Sequence, residues 1–205
     1  MVSEYFGDET VNKKVVRAYN TGIYYLLSDN FIYDGFRYCN FNDDKFKSLN
    51  FKNHNNSILL IDKIDTLDFN KEDLKLLKQD LKRMVISDYI SKVQDRAYRN
   101  FMVRYHKDRI NLLPLYDYEF SFLESDELYQ NVFTFDNSNF DEIEYIRNDE
   151  DFQKYLYRAM DLDMKKIMHE FHDKYPIILT EEETNNYLTL VLNQQKKIKE
   201  FRLIK

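Results

Sequence analysis

The sequence predicts an α+β fold, predominantly helical, with one very long central helix, three other helices and a small antiparallel sheet or hairpins. Three observations carry this expectation. Apolar residues recur at helical spacing through residues 70–113, and no Gly or Pro interrupts them before Pro114. Capping signals open two later helical stretches, at Asn148 and at Thr180. Short segments rich in Tyr and Phe, one of them with Asp34-Gly35 at its centre, carry the period and turn chemistry of strands.

Residues 10–28 read as a first helix, with Val15, Tyr19, Ile23, Leu26 and Leu27 as its apolar stripe. Lys13, Lys14 and Arg17 stand near its start, where the helix dipole disfavours positive charge. Residues 31–38 read as a β-hairpin, because Asp-Gly supplies the positive φ angles of a tight turn. Ile58-Leu59-Leu60-Ile61 reads as a buried strand.

The long stretch begins at Asn70, whose side chain can accept from the free N–H groups of a first helical turn. Glu72 and Asp73 place negative charge at the positive end of the dipole. Leu74, Leu77, Leu81, Met84, Val85, Tyr89, Val93, Ala97, Phe101 and Tyr105 form the stripe. Unbroken, about forty residues at a rise of 1.5 Å make a rod of roughly 60 Å. Residues 71–114 carry 11 Lys and Arg against 6 Asp and Glu. Lys92, Arg96, Arg99, Arg104, Lys107 and Arg109 make up a basic face. It fits an acidic partner or nucleic acid, or else a solvated face neutralised within the chain.

After Pro114, Tyr116, Tyr118, Phe120 and Phe122 alternate with Asp117, Glu119 and Ser121, a strand period of two, and residues 132–135, with Phe133 and Phe135, are the expected pairing strand. Residues 115–136 therefore form either a sheet against the long helix or an aromatic arm that docks on another subunit. Residues 115–163 hold 14 acidic residues against 3 basic, opposite in sign to the preceding stretch. Internal neutralisation explains this most simply, followed by head-to-tail pairing between copies and by mimicry of nucleic-acid charge. Asn148 caps a further helix to Tyr175-Pro176, and Thr180 with Glu183 is a capping box for the last one. Residues 196–205 form a basic tail with Phe201, Leu203 and Ile204, suited to docking on a partner. The whole chain, 1–205, is expected to be a single domain with the 115–136 arm and this tail as its projections.

Composition excludes several chemistries. With only 3 Gly in 205 residues, all isolated, a P-loop, a dinucleotide fingerprint and a nucleophile elbow are all absent. Cys39 is the one cysteine, so no internal disulfide forms. Residues 1–10 lack the apolar centre of a signal peptide, and no apolar run reaches the roughly 18 residues that span a bilayer. The net charge of −6 argues against general nucleic-acid binding. Heavy use of Asn, Lys, Asp, Ile, Tyr and Phe is what an AT-rich genome produces, such as that of a low-GC bacterium or its phage.

Two clusters come nearest to a site. His169, His172 and Asp173 share neighbouring helix faces but do not match H-E-x-x-H, and zinc generally wants three or four such ligands. Asp62, Asp65 and Asp68 are spaced by three, without the companions of a two-metal site. The expected function is accordingly non-enzymatic: a structural, oligomeric assembly protein, in its most concrete form a phage virion component such as a head–tail connector (neck) ring or adaptor. Copies of itself and other proteins of the assembly are its expected partners, with no cofactor, metal or membrane. The virion or host cytoplasm is the expected location. The alternatives are a small phage-type regulatory or inhibitory protein that binds nucleic acid or a nucleic-acid-binding enzyme, and an enzyme with a carboxylate site near 62–68 or 169–173.

Overall fold

The computed structural model describes residues 13–17, 24–28, 35–41, 43–49, 58–93, 96, 101–115, 140–174 and 180–203. Within them, five α-helices and two 3₁₀ helices accompany a two-stranded and a three-stranded antiparallel sheet. The expected α+β, mostly helical class holds at that level. The very long central helix does not.

Strands β1 (Lys13–Arg17) and β2 (Tyr24–Ser28) pair antiparallel, with Lys13 opposite Ser28 and Arg17 opposite Tyr24. They replace the helix expected over 10–28. The β-branched and aromatic residues Val15, Val16, Tyr24 and Tyr25 favour extended backbone, and two lysines at a helix start oppose the dipole. Gly35 sits in a turn at φ +84, as the Asp-Gly signal requires. The strand after it, β3 (Arg37–Cys39), pairs with a strand more than sixty residues away, and residues 31–33 lie outside the described residues.

The second 3₁₀ helix, Ile58–Thr66, stands where a strand was expected. Its three-residue repeat explains the sequence. Ile58, Ile61, Ile64 and, just beyond, Leu67 are buried, while Asp62, Asp65 and Asp68 form the exposed stripe at the same spacing.

Helix α1 (Lys71–Ile90) is the central element. Asn70 caps it by accepting from the backbone N–H of Glu72 at 2.9 Å and of Asp73 at 3.4 Å. Leu74, Leu77, Leu81, Met84, Val85 and Ile90 are buried, and α1 packs against four neighbours: β5, the second 3₁₀ helix, α3 and α5. Each fully buried leucine contributes roughly 1.5–3 kcal/mol of transfer free energy.

The helix ends at Ile90 rather than near Leu113. Lys92 turns the chain at φ +48; residues 94, 95 and 97–100 lie outside the described residues, and β4 (Val103–His106) and β5 (Arg109–Leu112) follow, with β3 on the outer side of β4. His106 pairs with Arg109 across a two-residue turn, and Lys107 in that turn has φ +54. The stretch read as half of a rod therefore contains a turn at Lys92 and a hairpin. Phe101, Val103, Ile110 and Leu112 point into the core, and Phe101 stacks on Phe41 at 5.2 Å.

The remaining helices complete the bundle: α2 (Phe140–Asn148), α3 (Glu150–Asp161), α4 (Met164–Lys174) and α5 (Glu181–Leu203). The single helix expected after Asn148 is two, because Leu162 leaves the helical region at ψ 126 and Asp163 caps a new start by accepting from Lys166 N–H at 3.0 Å. Asp149, not Asn148, caps α3 through Phe152 N–H. Thr180 and Glu183 form the reciprocal capping box: Thr180 Oγ1 accepts from Glu183 N–H, and Glu183 Oε2 accepts from Thr180 N–H. Two buried glutamines stitch α5 down. Gln195 donates to the carbonyls of Ala159 and Leu162 at the end of α3, and Gln194 donates to the carbonyl of Tyr89 near the end of α1. These accept where helix ends leave carbonyls without an intrahelical partner. No helix among the described residues is long and apolar enough to cross a membrane.

Candidate active site

Several polar contacts among the described residues converge at the end of α1. The last turn of α1 closes through Ser91 N–H to the Ser87 carbonyl and Lys92 N–H to the Tyr89 carbonyl. Val93 N–H then reaches back to the carbonyl of Asp88 at 2.9 Å. Arg96, only 1% exposed, folds onto the same residue. Its Nε donates to Asp88 Oδ2 at 2.7 Å and its Nη2 to Asp88 Oδ1 at 2.9 Å. This is the two-pronged geometry that a guanidinium makes with an ionised carboxylate. Burial pushes the Asp88 carboxyl upward, and the Arg96 guanidinium pulls against it.

Before β4, Phe101 is buried and Met102 accepts from Leu113 N–H at 2.8 Å. Val93, Arg96 and Phe101 are thus each held against the core. Between and around these anchors the sequence reads Asp95-Arg96-Ala97-Tyr98-Arg99-Asn100, an aspartate and an asparagine five positions apart. A further aspartate, Asp117, follows five residues after β5 ends. Asp95, Asn100 and Asp117 lie outside the described residues. Reading 70–113 as one helix hides this group, because it places Asp95 and Asn100 on a helix surface. The D-x-x-x-x-N spacing ahead of a second aspartate is the signal that finds it.

The six basic residues do not share one helix face. Lys92 is in the turn after α1, and Arg96 is buried against Asp88. Arg104, on β4, donates to Asn111 Oδ1 at 2.9 Å and lies over the Phe36 ring at 5.4 Å. Lys107 is in the hairpin turn, Arg109 pairs from β5 with Asp73, and Arg99 lies outside the described residues. Arg104 and Arg109 line an open concavity of about 660 Å³ between α1 and the hairpin. There Arg109 is paired with Asp73 and Arg83 with Asp80.

Tyr116, Tyr118, Phe120, Phe122, Phe133, Phe135 and Ile204 lie outside the described residues. Phe201 is half-buried on α5, with the Arg147 guanidinium 5.3 Å from its ring centre, and Leu203 is the last residue of that helix. Asp62 and Asp65 are bridged by Lys78 at 3.1 and 2.7 Å, and Tyr145 donates its hydroxyl to Asp62. His169 donates from Nδ1 to the Lys165 carbonyl on its own helix. Among the described residues no three His, Cys, Asp or Glu side chains gather as a metal site. Burial and the charge of Asp43 push the Cys39 thiol up to about 12, so it remains a protonated, packed thiol at neutral pH.

No protein-family model matches the sequence, and no curated protein matches it. The fold, in contrast, has known counterparts. The structure is similar to a Helicobacter pylori proinflammatory kinase, CtkA, with a TM-score of 0.71 at 16% identity, over 98% of this chain and 78% of that one. It is also similar to a chain of the Shewanella oneidensis MR-1 toxin–antitoxin system of HipA, HipB and operator DNA. That second similarity has a TM-score of 0.65 at 13% identity and covers all of this chain but only 56% of the other.

The fold is therefore kinase-like, and this corrects the expectation of a non-enzymatic structural protein, phage virion component or head–tail connector. The rod that motivated that expectation does not exist. Its second half holds the turn at Lys92 and the hairpin described above.

Proposed function

We propose that this chain is a phosphotransferase that moves the terminal phosphoryl group of a nucleoside triphosphate to a hydroxyl acceptor. The observation that carries the proposal is a fold similar to that of a kinase, together with the D-x-x-x-x-N spacing of Asp95 and Asn100 in the sequence that follows α1. In kinase catalytic loops the aspartate of D-x-x-x-x-N accepts the proton of the attacking hydroxyl, and the asparagine and a later aspartate are magnesium ligands. The residues of this chain in those positions are Asp95, Asn100 and Asp117.

Asp95 orients the acceptor hydroxyl and takes its proton as the new P–O bond forms. The bond to the departing diphosphate breaks as that oxygen leaves. Asn100 and Asp117 fit a magnesium ion, since an amide carbonyl and a carboxylate are hard oxygen donors; the buried Phe101 directly follows Asn100, and the buried Leu115 stands two residues before Asp117. Magnesium, when bound, neutralises charge on the phosphates. Within these 205 residues no glycine-rich loop of the protein-kinase type is present, so other groups must cover the phosphates.

Calorimetric titration with a non-hydrolysable ATP analogue tests the assignment. The wild-type chain should bind it in a magnesium-dependent way, and Asn100→Ala or Asp117→Ala should weaken binding by roughly tenfold or more, about 1.4 kcal/mol. Binding that is absent in the wild type, or indifferent to magnesium and to both substitutions, overturns it.

A further inference from the structure

The structure assigns an anion-binding site to the groove where the end of α1 meets the second half of α5, and its lining fits a small phosphate monoester that also carries hydroxyl groups. The assignment does not rest on the phosphotransferase reading. Lys92, Asn193, Gln194, Lys196, Lys197 and Glu200 line an open cavity of about 300 Å³ there. That volume lies at the low end for small-molecule pockets, and a bare phosphate fills only part of it.

Local structure brings these residues together. Asn193, Lys196, Lys197 and Glu200 recur at three- and four-residue spacing, so they share one face of α5. Gln194 donates to the Tyr89 carbonyl at 3.1 Å and so fixes α5 against the end of α1. Lys92 joins from the turn that follows, where its backbone has φ +48. Three ammoniums and one carboxylate leave the lining positive by two charges, against roughly half a negative charge at the C-terminus of α1. Glu200 lies 3.8 Å from Lys196, and both side chains are more than half exposed, so water screens that pair and leaves the ammonium able to turn to a ligand.

Gln194 narrows the ligand. It is only 4% exposed, and its amide nitrogen faces Tyr89, because a carbonyl accepts and cannot donate. The amide oxygen is thereby left without a donor among the described residues. A buried acceptor without a donor costs free energy. A hydroxyl meets that need, and a fully ionised oxyanion does not. Inorganic phosphate at neutral pH keeps a hydroxyl on phosphorus, and a sugar phosphate carries several on carbon. Sulfate offers oxygens to the lysines and nothing to Gln194.

Amide NMR of the full chain tests this, with sulfate, inorganic phosphate and ribose 5-phosphate titrated in magnesium-free buffer at neutral pH and constant ionic strength. Saturable shifts are expected at Lys92, Asn193, Gln194 and Lys197. Affinity should rise from sulfate to phosphate by roughly tenfold, and further to ribose 5-phosphate. K197A, on the exposed face of α5, should weaken phosphate binding roughly tenfold at an unchanged melting temperature. K92G should weaken it similarly while melting no lower than the wild type, because glycine takes φ +48 without strain. A Lys92 that serves the turn alone would leave binding unchanged in K92G. The absence of saturable shifts, an affinity that does not rise along that ligand series, or either variant binding phosphate as the wild type does overturns the inference.

Discussion

Asp73, in the first turn of α1, grips Arg109 of β5 by two bonds, Nε to Oδ2 at 2.5 Å and Nη2 to Oδ1 at 3.0 Å. The same carboxylate accepts from the buried N–H of Ile110 at 3.1 Å. Asn70 N–H also donates to the Asp108 carbonyl, so the start of the helix and the tip of the hairpin are tied at two points. These contacts keep the hairpin against α1, and β4 of that hairpin follows the segment that holds Asp95 and Asn100 in the sequence.

The two partners contribute unequally. Arg109 is two-thirds exposed, so its charge pairing is screened by water and salt. Ile110 N–H is buried, so its bond to Asp73 is less open to replacement by water. Asp73→Ala should destabilise the fold by about 1–3 kcal/mol, mainly by stranding that donor, and Arg109→Ala should cost less. Urea unfolding of the two variants, compared by midpoint at equal slope, measures the difference.

Asp73 also makes stability depend on pH. The Arg109 bond, supported by Ile110 N–H, holds its carboxyl below the ordinary value of 3.8 against the opposing effect of burial. A carboxyl depressed in the folded state binds its proton more readily when unfolded. Its contribution is therefore present above pH 3.8 and is lost as pH falls through the lower folded-state value. Unfolding measured along an acid series should show this loss in the wild type, and Asp73→Asn should flatten that part of the curve.

The core around α1 gives a third expectation. Leu81 is 0% exposed, on the face of α1 that packs into the core. Leu81→Ala should cost about 2–5 kcal/mol through lost transfer energy and the cavity left behind. Leu76→Ala, on the exposed face of the same helix, should be nearly neutral. Thermal melts of both variants test whether α1 presents the stated face.

Lys82 supplies the fourth. Its ammonium is enclosed beside Asp149, 2.5 Å from Oδ2, and lies near the Tyr145 and Phe152 rings at 5.6 and 5.7 Å. Asp149 also caps α3. Asp149→Ala should therefore cost about 2 kcal/mol or more, because it removes a cap and leaves the enclosed Lys82 only the more distant carboxylate of Asp151, at 3.8 Å. Asp149→Asn keeps a good capping oxygen and loses only the charge, so it should be milder by about 1 kcal/mol. Chemical denaturation of the pair separates the two effects.

The elements legible in the sequence were those whose signals are local. The Asn70 cap, the Thr180–Glu183 box and the apolar stripe from Leu74 to Val85 all depend on neighbours within a few residues. The break after Ile90 was hidden because Lys92 and Lys107 take positive φ angles that Gly or Asn usually supplies, so no residue type marks the two turns. Val93, Phe101 and Tyr105 also fall at helical spacing by coincidence, while Phe101, Val103 and Tyr105 alternate as a strand does. The partner of β3 and the Asp88–Arg96 bond are tertiary facts that no local pattern records. Of the candidate site, only the spacing of Asp95, Asn100 and Asp117 was present in the sequence, and it takes meaning once the loop and hairpin around it are known.

Phosphoryl transfer itself is the most direct test of the central claim. The purified chain is incubated with ATP labelled at the terminal phosphate, magnesium and a mixed serine-, threonine- and tyrosine-containing acceptor, with release of ADP followed in parallel. Magnesium-dependent transfer to the chain or the acceptor is expected, with a loss of roughly 100-fold or more in Asp95→Asn at an unchanged melting temperature. A wild-type chain that neither binds nor turns over ATP, or an Asp95→Asn variant as active as the wild type, would contradict the account.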